Sequence, residues 1–192
     1  MIIIKTENLF LDLEKRNNIC LYKETKNNIV YEFEKKYNKF RDKFFYEQFM
    51  NSGGFSIDNW IRIYGCGEIN IIEKNNLYNK DNIMDILIGE DVLGGLFAIK
   101  EDYVYYFAPD TNRWENLEIY YTQFLDWILN NTQGTNNFYK LFRWNTWKED
   151  CKNIKLNEGF SFYPLLQADY DIEKRSRKII SIDELIRFNL QI

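Results

Sequence analysis

Apolar residues recur at intervals of three and four between residues 28 and 50. Val30, Phe33, Tyr37 and Phe40 belong to this series, and charged side chains fill most positions between them. Such spacing places one apolar stripe along a helix, with the charged side chains on the opposite face. The "NSGG" segment that follows is typical of a helix end, because glycine readily takes the left-handed conformation found there. The sequence therefore predicts an amphipathic helix that packs on a sheet.

Three short apolar runs predict an antiparallel meander. They cover residues 83–88, 96–99 and 103–107, and a polar turn separates the last two. The pair Gly94-Gly95 is followed by a strand rather than by a helix, so it lacks the context of a phosphate-binding loop. We interpret the pair as a bulge or as a place where another part of the chain packs closely.

The remaining pattern surrounds this meander with further strands and helices. Arg62 alternates with Ile61 and Ile63 and is expected to point away from the core. No repeat and no linker divides the chain, so we expect a single domain over residues 1–192 with an α+β fold, a twisted antiparallel sheet with helices packed around it. The sequence predicts strands within 55–63, 69–74 and 159–166, a helix within 119–131, and a shorter helical segment within 136–150. It also predicts a short strand followed by a helical turn within 2–16, and a short strand followed by a helix within 177–192.

The residue types that are missing limit the possible chemistry. The chain of 192 residues has no histidine, and its three cysteines are far apart in the sequence. This excludes histidine-based catalysis and every zinc site that needs imidazole, and it makes a thiolate metal site improbable. We therefore expect neither a cofactor nor a metal, and no nucleophile stands in a recognisable catalytic motif.

The charge and the apolar runs limit the possible partners. A net charge of −4 argues against nucleic-acid binding, which needs a positive field. No run approaches the roughly 20 apolar residues of a membrane span, so we expect no membrane association. An odd number of cysteines without a disulfide pattern fits a reducing compartment, which predicts a cytoplasmic protein.

Arginine and tryptophan are the residues most enriched at binding hot spots, and they provide most of the candidate sites. Glu90 and Asp91 are interpreted as a solvated loop, and Asp110 as a turn residue after Pro109. The basic run "EKRSRK" at 173–178 is interpreted as a solvated face. No catalytic residue is predicted. The candidate partner-binding residues are Trp60, Asp91, Asp110, Arg113, Trp114, Arg143, Trp144 and Trp147.

A series of motifs between residues 50 and 190 resembles a bacterial family, domain-of-unknown-function family 2625. The motifs are "GGFSIDNWIRIYGCG", "DVLGGLFAI", "VYYFAPDTNRWENL", "YTQFLDWIL", "FYKLFRWNTW" and "GFSFYPLL". Relatives in that family commonly have Asp-His-Gly-Trp where this chain has Asp58-Asn59-Trp60, so a role for that histidine is not expected here. The order of elements is also similar to the SUKH superfamily of immunity-type proteins, which implies an α+β fold and binding to a toxin.

Three functions remain open at this point. The first is a non-enzymatic protein-binding module, in the form of an immunity-type protein that binds a toxin. The second is an enzyme that uses Asp or Glu with Arg113 or Arg143, which would need a pocket where a carboxylate and an arginine converge. The third is a structural protein that self-associates through exposed aromatic residues. The sequence does not predict an oligomeric state.

Overall fold

A large antiparallel sheet forms the centre of the protein. The computed structural model describes residues 12–25, 28–40 and 44–192. Each strand of the large sheet pairs with the next one along the chain, so the order in space is the order in sequence. The strands are β1 (Ile19–Leu21), β2 (Phe55–Ile57), β3 (Ile61–Ile63), β4 (Ile86–Asp91), β5 (Leu96–Lys100), β6 (Tyr103–Ala108) and β7 (Arg113–Tyr120). The predicted meander corresponds to β4, β5 and β6.

Helices pack around the sheet, which confirms the predicted α+β class. The helix predicted within 28–50 is present in two parts, of which the second ends at Met50, and Gly54 in the "NSGG" segment that follows has a φ of +98°. The elements predicted for the first eleven residues lie outside the described residues. The α-helices of the described ranges are α1 (Ile29–Tyr37), α2 (Phe44–Met50), α3 (Ile71–Tyr78), α4 (Tyr121–Asn130), α5 (Thr132–Phe138), α6 (Trp147–Lys152) and α7 (Ile182–Leu190).

The prediction of a strand at residues 69–74 was wrong, because most of that segment begins helix α3. The side-chain oxygen of Asn70 accepts hydrogen bonds from the backbone N–H groups of Ile72 and Glu73. An N-cap of this kind satisfies donors that have no partner inside the helix and thereby favours the helix over a strand. Strand β7 was not predicted, because it lies at the edge of the sheet and four of its eight side chains are charged or amide groups that interrupt the apolar pattern.

Both faces of the central strands are covered. Every residue of β4 is buried, including Glu90. The prediction that Arg62 points away from the core was wrong, since its side chain is only 1% exposed. One guanidinium nitrogen lies 3.7 Å from a carboxylate oxygen of Glu90, and another donates hydrogen bonds to the carbonyl oxygens of Lys155 and Glu158. The alternation along β3 is as expected, but the second face of the sheet is also packed.

A separate two-stranded ribbon follows the helical region. It contains β8 (Glu158–Tyr163) and β9 (Ser176–Ser181), paired antiparallel without a register shift. Helix α7 packs against both strands. The backbone N–H of Phe160 donates to the carbonyl of Val92 at 2.7 Å, and this bond ties β8 to the turn after β4. The strand predicted within 159–166 and the strand and helix predicted within 177–192 are confirmed.

Candidate functional site

Asp91 lies at the start of the turn between β4 and β5, where its carboxylate is fully used. Oδ1 accepts hydrogen bonds from the N–H groups of Leu93 and Gly95, at 2.9 and 3.0 Å. Oδ2 accepts from the hydroxyl groups of Tyr106 and Tyr139, at 2.6 and 2.9 Å. Burial nevertheless raises the pKa of Asp91, because desolvation outweighs these four bonds. The arrangement is that of a structural clasp for the turn.

The glycine pair is part of the same clasp. Gly94 has a φ of +77°, a conformation that most side chains disfavour. A Cβ on Gly95 would lie 2.4 Å from the hydroxyl oxygen of Tyr106 and 2.7 Å from Oδ2 of Asp91. The interpretation of Gly95 as a place of close packing is therefore confirmed. The interpretation of Glu90 and Asp91 as a solvated loop was wrong.

Arg143 brings several of the predicted residues together. Its guanidinium carbon lies 4.0 Å from the ring centre of Trp147, 4.9 Å from that of Trp60 and 5.0 Å from that of Tyr139. Such contacts stabilise a cation over the aromatic faces. One guanidinium nitrogen also donates to the side-chain oxygen of Asn136. Three candidates thus form one cluster, in which Trp60 is distant in sequence from Arg143 and Trp147.

The predicted residues at the tip of the β6–β7 hairpin form a separate group. The ring of Trp114 packs edge-on against Phe107, with ring centres 5.4 Å apart. Arg113 is exposed and Asp110 is partly exposed. This hairpin therefore presents some polar surface.

Exposure divides the eight predicted residues. Trp60 and Asp91 are 0% exposed, and Trp144 is 1% exposed. Neighbouring aromatic rings cover Trp60 and Trp144, and four hydrogen-bond donors enclose Asp91, so none of the three side chains forms part of the surface. A partner would reach them only after a rearrangement of the core. The binding role of Asp110, Arg113, Trp114, Arg143 and Trp147 stays a prediction.

A groove between α6 and strand β9 is a concave feature that combines charged and apolar side chains. Its volume is about 440 Å³, within the range of small-molecule and peptide sites. We call it the α6–β9 groove. It is lined by Asp150 and Asn153 at the end of α6, by Phe160 of β8, and by Arg175, Arg177 and Ile179 on and beside β9.

The two arginines of the groove differ in how far their guanidinium groups are bonded within the protein. The guanidinium of Arg175 donates to four backbone carbonyls, those of residues 164, 165, 168 and 170. It therefore organises the loop before β9. Arg177 is exposed and stacks over Trp144, with its guanidinium carbon 4.8 Å from the ring centre. Among the described residues no acidic side chain forms an ion pair with Arg177, so its charge is available to a ligand.

Asp150 anchors the α6 side of the groove. Its carboxylate accepts hydrogen bonds from the indole N–H of Trp144 and from the hydroxyl of Thr146. Trp144 in turn packs edge-on against Phe160, with ring centres 5.0 Å apart. The groove is thus built on a fixed aromatic base, which favours binding with little reorganisation.

The thiols do not suggest chemistry. Burial raises the pKa of Cys66 to about 11 and that of Cys151 to about 12, which keeps both thiols protonated and unreactive at neutral pH. Across the residues that the structure describes, no three cysteine or carboxylate side chains gather closely enough to hold a metal ion. Within the same ranges, every helix falls short of the length and apolar character that a bilayer crossing demands.

The sequence analysis missed Arg177 and Ile179, because the run at 173–178 was interpreted as a solvated face. A signal was nevertheless available. Residues 175, 177 and 179 alternate along a strand and therefore share one face, which combines two cations with an apolar side chain. Without the position of α6, however, neither residue could be distinguished from the residues of an ordinary exposed strand.

Comparison with known proteins identifies the family. The model of a family described as "Protein of unknown function DUF2625" matches residues 45–185. The chain belongs to this family. The matched region includes the Asp91 turn, the Arg143 cluster and the α6–β9 groove up to Ile179, so all three features lie within the family domain.

Two relatives are similar to most of this chain. The uncharacterized protein YbfG of Escherichia coli (strain K12) is 38% identical over 152 residues, which cover 73% of this chain and 69% of that protein. An uncharacterized protein of Haemophilus influenzae (strain ATCC 51907 / DSM 11121 / KW20 / Rd) is 29% identical over 150 residues, covering 69% of this chain and 65% of the relative. The resemblance to the SUKH superfamily stays a prediction.

Proposed function

We propose that this protein is a non-enzymatic module that binds another protein at the α6–β9 groove. The proposal rests on one observation: a guanidinium group that forms no ion pair among the described residues lies beside an exposed apolar side chain. Arg177 has no ion-pair partner among the described residues, and Ile179 beside it is 44% exposed. A charged group next to an apolar anchor is the usual composition of a protein-binding hot spot.

The buried polar residues support a binding role over catalysis. Asp91 is saturated by four donors, and Glu90 accepts from Tyr64 and pairs with Lys74. Carboxylates whose hydrogen-bonding capacity is used in this way stabilise the fold and are not free to bind a substrate. Asp150 is the carboxylate of the groove lining, and the lining contains no hydroxyl or thiol nucleophile.

An immunity-type protein that blocks a toxin is the specific form of binding that the SUKH resemblance suggests, and we retain it as part of the proposal. A toxin that docks here would present an acidic or apolar contact segment to the groove, since complementary charges steer encounter and select partners. The cytoplasmic location expected from the cysteines is compatible with this role.

The experiment compares three tagged proteins in quantitative capture from the lysate of the host. They are the unchanged chain, Arg177→Glu in the groove, and Lys80→Glu, an exposed residue outside the groove lining, as a control with the same change of charge. We expect a stoichiometric protein partner that the unchanged chain and the control retain, and that Arg177→Glu loses by about tenfold or more. Equal retention by Arg177→Glu would contradict the site, and no retained protein at all would contradict the binding function.

A second candidate function also has an observation in its favour. A carboxylate and two arginines, Asp150, Arg175 and Arg177, line the same groove, which is the convergence that an enzyme without histidine needs. The two functions differ in the size of the ligand. An enzyme predicts that small organic anions stabilise the unchanged protein against heat and fail to stabilise Arg177→Glu, whereas the binding module predicts no such effect.

A further inference from the structure

The outer edge of β9 has backbone groups that no strand of the described residues uses. The ribbon contains only β8 and β9, and β9 pairs with β8 on one side. Residues 176 to 179 of β9 are exposed. An edge of this kind is a ready template for another strand.

The register identifies which residues face outward. In an antiparallel pair, opposite residues alternate between those that exchange two hydrogen bonds and those whose N–H and C=O groups point away from each other. The N–H groups of Glu158 and Phe160 donate to Lys155 and Val92 rather than to β9. Phe160 faces Ile179, and two residues further along β8, Phe162 faces Arg177. Arg177 and Ile179 therefore direct their N–H and C=O groups toward the open edge.

The same two residues also line the groove with their side chains. Arg177 and Ile179 are two positions apart on a strand, so their side chains project from one face, and both belong to the groove lining. A segment that pairs with their backbone groups would consequently place alternate side chains over the groove. The same two residues would thus provide both the backbone hydrogen bonds and the side-chain contacts of a bound segment.

Charge selects the chemistry of the occupant. Among the described residues neither Arg177 nor the exposed Lys178 forms an ion pair, so β9 presents two open cations on a chain whose net charge is −4. A second copy of this chain is disfavoured, because an antiparallel β9–β9 pair centred on Lys178 would place like charges opposite each other. An acidic segment of a different protein is the complementary occupant.

We propose that an extended acidic segment of a partner protein adds to β9 as a third strand of the ribbon, a mode of recognition that rests on the proposed function and specifies it. In the antiparallel orientation, the segment reads apolar, acidic, acidic from its N-terminus. The apolar side chain packs beside Ile179, and the two acidic side chains lie opposite Lys178 and Arg177. The residues opposite Ile179 and Arg177 exchange backbone hydrogen bonds with β9.

Synthetic peptides test this mode directly. The probe is an eight-residue peptide with Val-Glu-Glu at its centre and threonines on both sides, titrated into the isotopically labelled full chain. We expect saturable shifts of the backbone amide signals of Arg177 and Ile179. Methylation of the amide nitrogens of the valine and the second glutamate should weaken binding by about tenfold or more, because two hydrogen bonds are lost.

Two control peptides make the result specific. Methylation of the first glutamate nitrogen, which faces away from β9, should leave the affinity nearly unchanged. A peptide with lysines in place of the glutamates should not bind. Equal weakening by both methylation patterns, binding of the lysine peptide, shifts located elsewhere, or no binding of any peptide would each overturn strand addition.

A variant of the protein separates this inference from the proposed function. Ile179→Pro removes an N–H that β8 does not use, and proline is tolerated at such outward positions of edge strands. Ile179→Val keeps the N–H with a side chain close to proline in size. We expect the proline variant to lose the protein partner and the valine variant to retain it. Groove-dependent capture that survives in the proline variant would overturn strand addition and leave the proposed function standing.

If the proline variant does not fold, the methylated peptides still decide the question. Their comparison uses the unchanged protein and alters only the ligand.

Discussion

The turn at Asp91 and the edge of β9 are both polar, but they differ in whether their hydrogen-bonding groups have partners among the described residues. At Asp91 two N–H groups and two hydroxyl groups converge on one buried carboxylate. At β9 the outward backbone groups of Arg177 and Ile179, and the charge of Arg177, meet no such partner in the described part of the chain. The difference teaches that a conspicuous motif can be fully used by the fold, whereas an unremarkable basic strand can retain free bonding capacity.

The largest expected effect is on stability, and it comes from the Asp91 clasp. Asp91→Ala leaves four donors without their acceptor, and each unsatisfied buried group costs about 1–3 kcal/mol. We expect the free energy of unfolding to fall by about 3 kcal/mol or more, measured by urea unfolding. Asp91→Asn is the control, because its amide oxygen can keep the two N–H donors. Similar losses in both variants would contradict the clasp.

The next largest expected effect is on thiol reactivity, which reports how tightly the residues beside the groove are packed. Cys151 lies in α6, and its pKa is raised to about 12 by burial. Cys66 is also buried, whereas Cys20 is exposed. We expect a thiol reagent at neutral pH to modify one cysteine in the folded protein and all three after denaturation. Rapid modification of Cys151 in the native state would show that the α6 wall is not packed as described.

A smaller effect is the pH dependence of the same clasp. Burial raises the pKa of Asp91 above its usual value of 3.8, so the folded state holds the proton at higher pH than the unfolded state. The contribution of this group to stability is therefore fully present below about pH 4 and declines as pH rises through the raised pKa. Compared with Asp91→Asn, the unchanged protein should lose stability as the pH rises from about 4 toward neutral. A relative gain over that range would mean that hydrogen bonding outweighs desolvation.

The smallest expected effect on stability lies at β9. Arg177→Glu alters an exposed side chain that stabilises the fold only by stacking on Trp144. We expect the free energy of unfolding to change by about 0.5 kcal/mol or less while the protein partner is lost. A loss of stability as large as that of Asp91→Ala would mean that Arg177 belongs to the structural framework and that its effect on binding is indirect.

Local patterns predicted much of the fold. The spacing of Phe33 and Tyr37 identified a helix, and the alternation and turns between residues 83 and 107 identified the meander. The helix at α3 was missed because a short apolar segment suits either structure, and the cap at Asn70 decides between them. Edge strand β7 was missed because half of its side chains are charged or amide groups.

The candidate site was harder to predict, because burial depends on which faces of a sheet are covered. Arg62 and Asp91 have the sequence surroundings of solvated residues, yet the ribbon and the adjoining helices pack over them. Trp60 and Trp144 carry a hot-spot composition but serve the core. The groove forms where α6 lies beside β9. The spacing of residues within a single segment does not predict such a contact between two segments.

Residue-resolved hydrogen exchange of the free protein tests the central claim that the edge of β9 is open. Lys178 and Ile180 donate toward β8 in the register described, so their amides should exchange slowly. The amides of Arg177 and Ile179 point outward and should exchange quickly. Protection of Arg177 and Ile179 in the free protein would contradict the account, because it would show that the edge is already occupied.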